Sequence, residues 1–71
     1  MNEVQEEKEC FVRYHVEPMC RAIDSSIDEL WYSVTNEVEL VTIQRHNKSV
    51  VRIDVTADSL AALARDVLRA F

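Results

Sequence analysis

There is no glycine in this 71-residue chain. Phosphate-cradling loops need residues that tolerate positive φ and close backbone approach, so neither a P-loop nor a dinucleotide-binding fingerprint can be written here. Nucleotide chemistry by those routes is excluded. Turns must fall instead on Asp24, Ser25, Ser26, Asn36 and Asn47, whose side chains support turn geometry next best. Long apolar runs are missing too, and none approaches the ~20 residues of a membrane span. The acidic start MNEVQEEKE lacks the basic-then-apolar order of a secretory signal. The expectation is a cytoplasmic protein without membrane association, whose two thiols, Cys10 and Cys20, stay reduced.

Positive charge is scarce. Thirteen carboxylates stand against eight Lys and Arg, a net charge of −5. Nucleic-acid binders need cations that release counterions from phosphate, so this balance argues against that role. Much of the acidity lies in Glu3, Glu6, Glu7 and Glu9, however, and the remainder is near neutral.

What is present reads as one small domain over residues 1–71. The 48% apolar content is that of a globular fold. A chain of this size buries only about 60% of its unfolded surface, and domains this small often gain stability from a disulfide, a metal or a second copy.

Residues 1–8 are polar and expected to fray, though their Glu and Lys allow a helical turn or two. In CFVRYHV, residues 10–16, Cys10, Val12, Tyr14 and Val16 alternate with Phe11, Arg13 and His15, which predicts a strand. A helix from Asn2 to Glu17 is the competing reading, but it scatters the apolar residues round the cylinder, and Pro18 ends the segment in either case. Ile23, Ile27, Leu30, Trp31 and Val34 fall at helical spacing, with a Ser26–Glu29 capping-box pattern, and predict a short helix near 26–35. The β-formers of LWYSVT make a strand the alternative there.

Residues 38–45 and 50–56 predict a β-hairpin. A connecting loop of odd length, with Asn47 or Lys48 near the left-handed region, places Val41 and Ile43 on one face with Val51, Ile53 and Val55. The opposite face then carries Leu40, Thr42, Gln44, Arg52, Asp54 and Thr56. The stripe Leu60, Leu63, Ala64, Val67, Leu68, Phe71 predicts a C-terminal helix over 57–70, capped by Thr56 or Asp58 and packed on one face of the sheet. The fold class is α+β, with a small antiparallel sheet.

No catalytic constellation emerges. Cys10, His15, Cys20 and His46 match no zinc spacing, and read as small hydrophobes and surface imidazoles. Neither thiol has a partner base, and Glu6, Glu7 and Glu9 oppose ionisation of Cys10. Asp28 with Glu29, and Asp54 with Asp58, are accounted for by capping and surface charge. No cofactor, metal or enzymatic activity is expected.

Two functional readings remain. Trp31, Tyr32, Leu40 and Phe71 are the large groups least accounted for by the hairpin–helix core. Exposed together they exceed what monomers tolerate, which points to a non-enzymatic interaction module forming a homodimer through them. The alternative is a nucleic-acid-associated protein using the polar sheet face and hairpin tip, with Arg45, Lys48 and Arg52 as contacts. With residues 30–35 as a strand, four strands followed by a helix is an order similar to that of small single-strand binders of the transcriptional-coactivator type.

Overall fold

Asn2 starts the first helix by a reciprocal cap. Its side chain accepts from the Gln5 backbone N–H at 2.8 Å, while the Gln5 side chain accepts from the Asn2 N–H at 3.0 Å. In the computed structural model, which describes all 71 residues, helix α1 (Glu3–Phe11) runs through a π-helical turn (Val12–Val16) into helix α2 (Glu17–Ile23). Two expectations are corrected here. The first eight residues are not frayed but helical from Glu3, and residues 10–16 are helix rather than strand.

The physical reason lies in the spacing of Lys8, Val12, Val16 and Cys20, all buried. A four-residue repeat drifts about 40° per step round an ordinary α-helix. The wider π turn drifts the opposite way and returns the four side chains to one line. Pro18 selects that turn without ending the helix. It lacks the N–H that would reach back to Tyr14, and the Glu17 N–H bonds to the Val12 carbonyl instead. Val12 and Val16 satisfy a period of two as well as four, so alternation alone could not separate strand from helix. The 21 helical residues span about 31 Å, close to the longest dimension of the molecule, 32 Å.

Strands β1 (Ile27–Thr35), β2 (Val38–Arg45) and β3 (Val50–Asp54) form an antiparallel sheet in the order β1-β2-β3. The short helix expected near 26–35 is thus strand β1. Leu30 and Tyr32 turn inward opposite Ile43 and Val41. The expected Ser26–Glu29 cap does not form, because the Ser26 backbone and hydroxyl both donate to Asp24 Oδ1, at 2.9 and 2.6 Å. The order is helix, three strands, helix, so the four-strand order is not realised.

The hairpin stands as read, with its second strand ending at Asp54 rather than 56. Its loop is odd, His46–Lys48, with Lys48 at φ 69°, and Ile43 opposes Val51 while Val41 opposes Ile53. Asn36 and Glu37, at φ 52° and 64°, make the two-residue turn between β1 and β2. Asn-Gly would be the usual choice for that turn; here a glutamate occupies the glycine position.

Helix α3 (Leu60–Leu68) is shorter than the 57–70 expected, and its cap is Ser59, whose hydroxyl accepts from the Ala62 N–H at 3.2 Å. Thr56 and Asp58 are otherwise engaged: Thr56 Oγ1 accepts from the Glu39 N–H at 2.9 Å, and Asp58 faces Asp66. Leu63 and Val67 are fully buried in one cluster with Val12, Val16, Leu30, Val41 and Ile43. Both helical segments therefore cover the same sheet face. The fold is α+β, and the other face has no helix over it.

Candidate interaction surface

The uncovered face follows from strand parity. Pairing sets Trp31, Thr42 and Arg52 in one row across the sheet, and Ser33, Leu40 and Asp54 in the next. Val38 and Val50 stand at opposite ends. Trp31 is 40% exposed, Val38 42% and Val50 44%, while Leu40 is half-buried. Thr42, flanked by Trp31 and Arg52, is buried in the centre. None of the ion pairs or side-chain hydrogen bonds in the fold engages the Arg52 guanidinium.

The sheet edge beside this face is guarded. Arg21 donates to the carbonyls of Ile27 at 3.1 Å and Asp28 at 2.9 Å, and Glu17 Oε2 holds the same guanidinium at 2.9 Å. Asp28 and Glu29 add exposed charge beside an irregularity in the β1–β2 register. Blocked carbonyls, charge and a bulge are the usual defences against strand addition. The other edge, β3, is only five residues long.

The four residues expected to make one interface are divided by the fold. Trp31 and Leu40 share the open face. Tyr32 points the other way, buried, and donates its hydroxyl to Glu39 Oε1 at 2.7 Å. Phe71 lies under the Arg45 guanidinium, 5.3 Å from its ring centre. The three basic residues are likewise separated. Arg45 has the parity of Ile43 and pairs with Asp24 at 3.1 Å, Lys48 sits in the tight loop, and Arg52 alone reaches the open face. Hydrogen bonds from Ser26 and from Arg45 pull the Asp24 carboxyl down to about 2. Arg45 is thus a structural cation.

Compared with family models, curated proteins and solved structures, the chain matches none. Its function has to be read from this geometry.

The strongest polar site is internal, and sequence reasoning missed it. Lys8 Nζ donates to Glu39 Oε1 at 2.8 Å, to the Val55 carbonyl at 3.0 Å and to the Thr56 carbonyl at 3.4 Å. Lys8 is 3% exposed and Glu39 6%. Burial alone pushes the Glu39 carboxyl upward, but hydrogen bonds from Lys8 and Tyr32, with the Lys8 charge, hold it below its ordinary value. Burial and the Glu39 carboxylate raise the Tyr32 phenol. Near them Asp58 is raised, first by burial and then by the facing Asp66, and its Oδ2 is a buried oxygen without a partner. Two signals were legible: Lys8 heads the line Val12, Val16, Cys20, and Glu39 shares the inward parity of Val41. With both groups enclosed, this cluster can hold elements together but offers substrate no approach.

Elsewhere, Cys10 is exposed and Cys20 buried, both as free thiols. No three His, Cys, Asp or Glu side chains gather closely enough to hold a metal ion. A cleft of about 350 Å³ between the long helix and β1 is lined by Val12, Leu30, Trp31 and Tyr32, with the Arg13–Glu9 pair (2.8 Å) beside it.

Proposed function

We propose that this protein is a non-enzymatic interaction module that associates with a second copy of itself through the open face of its sheet. The observation that carries this reading is the exposure of Trp31 and Val38 beside Leu40, with Val50 at the far end of the same sheet face, which no helix covers. The largest exposed apolar patch of a small protein is often its contact site. The guarded β1 edge supports docking by the face rather than by strand addition. Relative to the residues singled out from sequence, Trp31 and Leu40 stay in the surface, and Val38 and Val50 replace Tyr32 and Phe71. No helix of the fold is long and apolar enough to cross a membrane; the reading places the protein in the cytoplasm, where its thiols remain reduced.

Three strands at about 4.8 Å spacing and some 25 Å of strand length give a flat area of roughly 350 Å² per copy. That is well below the ~800 Å² per partner of standard stable interfaces, so the association is a weak, transient one. Sedimentation equilibrium over roughly 1–300 μM tests this directly. Rising mass in the wild type and a constant monomer mass in Leu40→Asp are expected; a monomer throughout refutes the proposal.

A second reading has one observation in its favour. Trp31 and Arg52 in one row supply the stacking surface and cation that single-strand binders use. The net charge of −5 opposes it, and no binding to single- or double-stranded DNA tighter than roughly 10 μM is expected at physiological salt. A submicromolar gel shift that weakens with salt reverses the ranking.

A further inference from the structure

Resting on that reading, we infer that the two copies meet about a two-fold axis lying along β2, so that Trp31 of each copy stacks on Arg52 of the other. Packed sheets face each other about 10 Å apart with strands within ~30° of alignment, which leaves two in-plane directions for the axis. An axis along β2 exchanges the flanking strands and preserves each row. Trp31 then faces the second copy's Arg52, Ser33 faces Asp54, and Leu40 and Thr42 meet their own counterparts on the axis. The contact is isologous, and Trp31, Ser33, Leu40, Arg52 and Asp54 each find a complement, while Val50, in the row of Gln44 and Glu29, meets the second copy's Glu29.

An axis across the strands exchanges the rows instead. It sets Arg52 against Asp54 and leaves the Trp31 ring on Ser33. Asp54 Oδ1 accepts from the Thr56 N–H at 2.9 Å, which holds the end of β3, and only Oδ2 is left for Arg52. The indole, the largest exposed group of the face, would also lack an apolar or cationic partner. The axis along β2 is the arrangement that uses both the free guanidinium and the free ring.

Within one copy these two groups do not meet. They stand two strands apart, about 9.6 Å, with Thr42 between them, and the cation–π contact the fold does make is Arg45 on Phe71. A cation–π contact at an exposed edge-strand site, made twice per dimer, implies roughly 30-fold in affinity.

Trp31 is the sole tryptophan, so its emission reports on this face without a label. In the wild type, emission should shift to the blue with concentration, at the same midpoint as the mass doubling. Arg52→Gln should weaken association about 30-fold, with the dilute monomer melting as the wild type does, whereas Asp54→Asn, which keeps an oxygen to accept from Ser33, should weaken it far less once its monomer is shown to be folded. A wild type that stays monomeric removes the proposed function and this geometry together. Doubling of mass with invariant Trp31 emission moves the interface off this face. If mass and emission change together but Arg52→Gln has no effect, or Asp54→Asn has the larger one, self-docking stands and the axis along β2 is refuted. Quenching of dilute Trp31 by oligothymidine assigns the face to single-stranded nucleic acid and overturns the inference.

Discussion

Lys8→Met should come close to unfolding this protein. The substitution keeps side-chain length and removes the ammonium, leaving the Glu39 carboxylate 6% exposed with only the Tyr32 hydroxyl, at 2.7 Å, as a side-chain donor. Removing one partner of a buried pair typically costs about 3–5 kcal/mol, because the remaining charge is uncompensated. At 0.05–0.15 kcal/mol per residue, a domain of this length has roughly 4–10 kcal/mol in total. The single change therefore takes a third or more of the stability. Glu39→Leu should cost a similar amount, since Lys8 then keeps only the Val55 and Thr56 carbonyls and Tyr32 loses its acceptor. Removing the whole network by Lys8→Met, Glu39→Leu and Tyr32→Phe together should return stability to within about 2 kcal/mol of the wild type, because no buried charge is left. Urea unfolding at pH 7, followed by far-UV circular dichroism at low micromolar protein, measures all of these and yields the coupling energy. A single substitution costing under about 1 kcal/mol, in the range of an exposed ion pair, would show that water reaches the Lys8 ammonium and would refute the argument.

Three further outcomes follow from named groups. Glu37→Gly should stabilise the fold by about 1 kcal/mol, by relieving a left-handed glutamate at φ 64°; a lower urea midpoint would contradict that account of the turn. Asp58→Asn should raise the melting temperature at pH 7 by several degrees, about 1 kcal/mol, because an amide donates to Asp66 without the burial cost of a second carboxylate; a fall would mean that Asp58 works as an anion. The carboxyls of Asp24 and Glu39 are lower in the folded state than ordinary, so their stabilisation is complete above the ordinary carboxylate range and is lost as pH falls through the folded values. For Asp24 that window runs from about pH 4 down to about 2, while Asp58, shifted upward, contributes in the opposite sense. Melting temperature should drop across the window, and Asp24→Asn should flatten the drop; an unchanged profile in that variant refutes the assignment.

Local chemistry determined the hairpin, the C-terminal helix and the absence of nucleotide loops. Those readings rest on signals that need no distant partner. Val41, Ile43, Val51 and Ile53 can share a face only with an odd loop, and the stripe Leu60, Leu63, Ala64, Val67, Leu68 has one helical solution. Tertiary structure decided the two ambiguous segments, which the sequence exchanged: residues 10–16 are helix and residues 27–35 are strand. Val12 and Val16 fit periods of two and four alike, and a π turn that straightens a four-residue line appears in no two- or 3.6-residue template. Leu30 fits both a helical stripe and an alternation, and the open hydrogen-bonding edge of β2 settled its segment as strand. The candidate surface divided in the same way. Strand parity places Leu40 and Arg52 on one face from sequence alone, but only the pairing of β1 adds Trp31 to them and turns Tyr32 inward to Glu39. The Lys8–Glu39 pair joins residues 31 positions apart, and burial at that separation depends on how the long helix lies across the sheet.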